Sequence, residues 1–242
     1  MRSLLNKLLA LFGLGKLDST TAPKPVEPEP IVLDKSEVIE MPATTPKPVV
    51  TGWVSELYES GGRGVATVST GKGDNGGVSY GKHQLSSLSG SMGLFLKSVY
   101  GVPFAEFKGL VPGTEKFNTV YKSVCAKRGT EFAEAQAQYI RESHYDPQAA
   151  KLNAAGYGLD RRHQAVREMV FSTSVQYGKG TSVILNSPAV LNDTDEQLIT
   201  KVQDFKKRTV ATYFKSSSIA VQKSVEDRCA AEKATLLKFL KG

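Results

Sequence analysis

Apolar positions recur with the helical period in two parts of the chain, separated by a stretch that shows no such period. In residues 1 to 17, Leu4, Leu8, Leu11 and Phe12 share one face, Leu5 and Leu9 widen it, and Arg2, Lys7 and Lys16 supply the charge. This predicts a short amphipathic helix over residues 1–18. It suits a partner's groove, a membrane surface, or packing back on its own domain. It is too short to span a bilayer and Lys7 interrupts it as a secretory signal, so no cleavable signal peptide is evident. Residues 19–50 carry seven prolines, alternating charges and no aromatic residue, which predicts an extended linker with a brief apolar interlude at Ile31, Val32 and Leu33.

From Thr51 the pattern turns helical and stays so, defining a domain over residues 51–242. Thr51 is placed to cap a first helix in which Val54, Leu57 and Tyr58 share a face, and Gly61-Gly62 ends it with Glu59 in its last turn. Residues 61 to 81 read as irregular loop and short hairpin, with Val65, Thr67 and Val68 as β-formers and GVSYG as the second strand. Beyond Gln84 helices are predicted over 92–100, 113–128, 130–144, 147–155, 161–177, 193–213 and 218–240, joined by Gly, Pro and Asn turns. The fold class is mainly α, with a small β-hairpin.

Charge changes the picture in one respect. Residues 1 to 50 balance six Lys/Arg against six Asp/Glu, so the formal +7 of the chain belongs to the domain, with 25 basic and 18 acidic side chains. A basic surface favours polyanions, among them nucleic acid, anionic membrane and bacterial wall. The cations are scattered without an interleaved aromatic stripe, so no nucleic-acid partner is expected. Cys125 and Cys229 stand far apart in helical patterns and outside any ligand spacing; they read as two buried thiols or one disulfide. No metal and no cofactor is implied.

The candidate chemistry is a pair of acids flanking the glycine-dense run, Glu59 and Asp74. Cleaving a glycosidic bond needs one protonated acid and one carboxylate on opposite sides of the sugar. Glu59, beside Leu57 and Tyr58, is expected to lose solvation and serve as acid, and Asp74, between Gly73 and Asn75, to stay ionised as base. The hydroxyls of Ser79 and Tyr80 are available to orient a water. The spacing alone is equally consistent with a surface glutamate and an Asx turn. His144 and His163 are expected to be structural, and Arg228 with Glu232, four apart, to form an exposed pair on the last helix.

The run YESGGRGVATVSTGKGDNGGVSYGKHQLS resembles the opening of family 46 chitosanase-like domains of the lysozyme superfamily, as in phage lytic proteins and type VI secretion spike effectors. The resemblance continues through FAEAQAQYIRESHYDPQAAKL and GLDRRHQAVREMVFSTSVQYGKG, and more weakly into RCAAEKATLL. It implies an α+β lysozyme-like fold in two helical lobes, the hairpin beside an active-site cleft, with Glu59 as acid, Asp74 as base and Ser79 holding water. It further implies that Tyr80, His83 and Gln84 contact glycan. An inverting mechanism would hold the carboxyl groups roughly 6.5 to 9.5 Å apart. A basic domain suits peptidoglycan glycan chains better than cationic chitosan, giving the expectation of a muramidase delivered by a phage or secretion particle and phage-encoded, virion-associated or acting at the host wall and periplasm, with residues 1–17 as a tether to a virion or tail protein or a membrane surface. Chitosanase, lytic transglycosylase and a non-catalytic virion or tail glycan-binding component are the alternatives.

Overall fold

The computed structural model describes residues 50–69 and 77–242. The expected amphipathic helix, almost all of the linker and the loop holding Asp74 lie outside the described residues. Within them the chain is mainly helical with one small antiparallel sheet, as the apolar period predicts. The elements in order are α1 (Trp53–Ser60), β1 (Ser79–Tyr80), β2 (Leu85–Ser86), α2 (Ser91–Lys97) and α3 (Glu115–Ile140). After a wide π-turn at Arg141–Tyr145 follow α4 (Asp146–Ala154), α5 (Gln164–Tyr177), α6 (Asp195–Arg208), α7 (Val210–Tyr213) and α8 (Ile219–Leu240). Short 3-10 turns at Ala105–Phe107 and Leu159–Arg161 complete the path.

The position of α5 sets the rest. Every residue from Ala165 to Ser174 is buried, polar ones included, so this helix is enclosed on all sides rather than amphipathic. Helices α1, α6 and α8 pack on it, and α6 packs along α8. A second part of the core is aromatic: Tyr80, Phe95, Phe104, Phe107, Phe117, Tyr121 and Phe132 are buried and meet in edge-on or tilted pairs such as Phe104 with Phe132 at 4.5 Å. The expected break between residues 128 and 130 is a kink inside one helix. Thr114 caps α3 by accepting from Phe117 N, and at Arg128, just before Gly129, the backbone leaves helical geometry at φ −134°.

The start of α1 differs from expectation. The Thr51 side chain does not cap it; Gly52 is the N-cap, in a left-handed conformation and without a side-chain cap bond. Glu168 of α5 does that work from across the core, one carboxylate oxygen accepting from Thr51 N at 2.9 Å, Thr51 Oγ1 at 3.2 Å and Gly52 N at 3.3 Å. Burial pushes the Glu168 carboxyl above its usual range, and these bonds only partly offset the rise.

The hairpin also closes differently. Its ladder pairs Ser79 with Ser86 and Tyr80 with Leu85, while the expected first strand contributes one bridge, Val68 to Tyr80. The turn needs a residue without a side chain: Gly81 has φ +73°, and a Cβ there would stand 2.0 Å from Gln136 Oε1. Both cysteines are free thiols, and burial pushes Cys125 up to about 11 and raises Cys229 as well. They are unreactive small hydrophobes of the interior.

His83 follows this turn and is 5% exposed, its ring 5.9 Å from Phe171. Burial first, then Lys82 and His144, pushes its pKa down to about 4. The unfolded chain takes up the proton near 6.5 and the folded one only near 4, so stability falls as pH drops through that window, by up to about 3 kcal/mol. Urea unfolding between pH 7 and pH 4 should show this slope in the wild type, and His83→Phe should make it shallower, leaving the part due to His144, which burial also lowers. Equal slopes in the two proteins would refute the assignment.

Candidate functional site

Helix α1 carries Glu56 and Glu59 one turn apart, and the fold gives them different partners. Glu56 Oε2 accepts from Lys82 Nζ at 3.1 Å, tying α1 to the hairpin turn. Glu59 Oε1 accepts from Arg228 Nη1 at 2.7 Å, tying α1 to α8. The apolar setting expected for Glu59 is therefore absent: its nearest partner is a guanidinium. Its side chain keeps 20% exposure and faces a groove of about 680 Å³ between α1, α5 and α8. Tyr58, Gln176, Phe214, Ser224 and Arg228 line that groove with it.

Arg228 is fixed on four sides. Besides Glu59, it approaches Ser172 Oγ at 3.5 Å and Glu232 Oε2 at 3.6 Å, and lies over the Tyr58 ring at 5.7 Å. The tyrosine is itself held, its hydroxyl 2.9 Å from Thr235 Oγ1. Behind Arg228 sits Glu232, whose side chain has no solvent exposure. Gln203 Nε2 donates to Glu232 Oε1 at 2.9 Å, and Lys206 Nζ, equally enclosed, approaches the same oxygen at 3.5 Å. Burial would raise the Glu232 carboxyl, but Lys206 and Arg228 outweigh it and hold it below the usual range. Arg228 is raised in turn: burial opposes its charge, and Glu59 and Glu232 restore it.

A continuous run of alternating charge thus leads from Lys206 in the core through Glu232 and Arg228 to Glu59 at the groove. The expected exposed pair of Arg228 and Glu232 is corrected, since Glu232 is wholly enclosed. The sequence held a signal for this. Cys229, Glu232 and Leu236 are the buried positions of α8 and follow one another at helical spacing, so the glutamate occupies an apolar stripe. Lys206 lies on the buried side of α6 with Leu198, Ile199 and Val202 in the same way.

The remaining predicted site residues are spread over hairpin and core. Asp74 lies outside the described residues. Ser79 is buried in β1, its amide donating to Ser69 Oγ at 2.8 Å. Tyr80 is a core residue: its hydroxyl donates to Asn118 Oδ1 at 2.5 Å and accepts from Gly113 N at 2.7 Å. Gln84 closes the turn, its amide donating to Gly81 O at 2.9 Å. Among the described residues, the structure brings Glu59 together with Arg228 and Gln176, not with Ser79, Tyr80 or His83 in one groove.

A family model described as the C-terminal part of type VI secretion system spike protein VgrG3-like chains matches residues 51–233. Type VI secretion system spike protein VgrG3 of Vibrio cholerae serotype O1 is 39% identical over 192 residues. That match covers 78% of this chain and 18% of the relative, so the chain spans less than a fifth of the relative's length. These matches overturn the assignment to family 46 chitosanases. They also overturn the reading as a phage-encoded muramidase, because what is matched is a component of a secretion spike.

Removing one partner from a buried ion pair leaves an uncompensated charge, which costs about 3 to 5 kcal/mol. Lys206→Met should lower unfolding stability by that order, and adding Glu232→Met should recover much of it. Chemical denaturation of the single and double variants checks this; a double variant as unstable as the sum of its parts would refute the coupling.

Proposed function

The chain belongs to the type VI secretion spike VgrG3-like C-terminal family, and from that premise we propose that its domain is a spike component that binds cell-wall glycan in the groove at Glu59. One observation carries the reading: aromatic faces and planar polar groups share that groove. Tyr58 and Phe214 offer surfaces for the apolar face of a sugar ring, while Glu59, Arg228, Gln176 and Ser224 offer paired donors and acceptors for its hydroxyls. The guanidinium and carboxylate are held at 2.7 Å before any ligand arrives, so little ordering remains to be done on binding. The partner proposed is the β-1,4-linked amino-sugar backbone of peptidoglycan.

A second reading is favoured by the place of Glu59 itself. It is a partly exposed carboxyl group at the end of a helix, open to the groove and backed by a buried charge run. A glycoside hydrolase needs such a group within reach of the glycosidic oxygen. In that reading Arg228 sets the position of Glu59, sugar displaces the ion pair, and Glu59 takes up a proton from solvent and donates it to the leaving glycosidic oxygen as a water adds to the anomeric carbon.

Titration with N,N′,N″,N‴-tetraacetylchitotetraose tests both. The wild type should bind it saturably, and Tyr58→Ala should weaken binding at least tenfold without altering the helical circular dichroism. Absence of saturable binding would refute the glycan reading. Release of reducing ends by the wild type and its loss in Glu59→Gln would establish cleavage; binding without release would exclude the hydrolytic reading and leave the binding one standing.

A further inference from the structure

A second groove, of about 600 Å³, opens on the Lys82 side of α1, where α3 forms one wall. It differs in kind from the groove at Glu59. Among the described residues its lining carries no aromatic ring; Ala133 and Ala137 leave methyl-sized space along α3, and the charged groups are Lys82, Glu134 and Arg141. Lys82 is already answered by Glu56 at 3.1 Å. Among the described residues, neither the Glu134 carboxylate nor the Arg141 guanidinium makes a hydrogen bond or an ion pair. The groove therefore presents one unanswered anion and one unanswered cation.

Their separation is informative. Arg141 stands seven positions after Glu134 along α3 and its continuation, a backbone rise of roughly 10 Å at 1.5 Å per residue. No hydrogen bond or ion pair joins the two side chains across that rise. Positions 134, 138 and 141 follow the helical i, i+4, i+7 spacing, so Gln138 stands between the charges on the same wall. An extended peptide advances about 3.4 Å per residue, so roughly three residues span the gap between an ammonium and a carboxylate.

We infer that this groove binds a short zwitterionic peptide of small residues, its amino end on Glu134, its carboxylate on Arg141 and its side chains over Ala133 and Ala137. Arg141 can take a carboxylate through two parallel N–H donors, which makes that end the more directional of the two. A saccharide fits less well, since no ring face is offered and the charges would stay unanswered. The inference stands apart from the glycan reading, because it uses no residue of the Glu59 groove.

The test is calorimetric titration of the full chain with trialanine, N-acetyl-trialanine and trialanine amide. Trialanine should bind saturably, and each cap should weaken it at least tenfold. Glu134→Gln should weaken trialanine to the same degree yet leave the N-acetyl form unchanged, and Arg141→Gln should do the same for the amide. Both side chains lie at the surface, and thermal melts matching the wild type establish folding. Saturating chitotetraose should leave trialanine binding intact. Absence of saturable binding, indifference to both caps, or competition by the sugar would each overturn the proposal.

Discussion

A carboxylate without access to solvent must be answered by charge and hydrogen bonds or it does not stay ionised, and Glu232 is such a group. Its answer comes from three directions: Gln203 and Lys206 on α6, and Arg228 one turn earlier on its own helix. Because Arg228 is also bound to Glu59, the requirements of one buried charge reach α1 and the mouth of the groove. The packing of α6 on α8 and of α5 on α8 is thereby tied to the orientation of a surface carboxylate. The groove has its shape because the core has this charge.

How much of this could be read from the sequence follows from what each signal measures. The helical period located α3, α5, α6 and α8 closely, since burial of one face is what produces the period. The kink in α3 was legible as Gly129, and the stop of α1 as Gly61-Gly62. The hairpin was legible in place but not in pairing: glycines mark where the chain turns, while the ladder partner depends on Gln136 and Tyr121, which crowd the turn from a distant helix. The capping of α1 by Glu168 was hidden for the same reason, the donor and acceptor standing more than a hundred residues apart.

The site shows the same division. Glu59 was singled out from its local setting at a helix end, but its ion-pair partner was not, because Arg228 and Glu232 at i and i+4 have the signature of an ordinary solvated pair. Only their coincidence with the buried positions Cys229 and Leu236 distinguishes them. The aromatic and hydroxyl residues of the hairpin were read as ligand contacts from a resemblance. The structure uses Tyr80 to join the hairpin to α3, with both of its hydrogen bonds satisfied inside the protein. The family matches correct the setting as well: they relate the domain to the C-terminal part of a type VI secretion spike protein rather than to a phage lytic enzyme.

The anchoring of Thr51 and Gly52 on Glu168 bears on mechanics. Tension arriving along the chain at residue 50 does not begin by peeling α1 from its end. It meets three hydrogen bonds on one carboxylate, and that carboxylate belongs to the helix enclosed on every side. Bonds that share an anchor yield together under shear rather than one after another. A domain fastened in this way resists being unzipped from its amino-terminal side. The groove at Glu59 keeps its geometry as long as those three bonds on Glu168 hold.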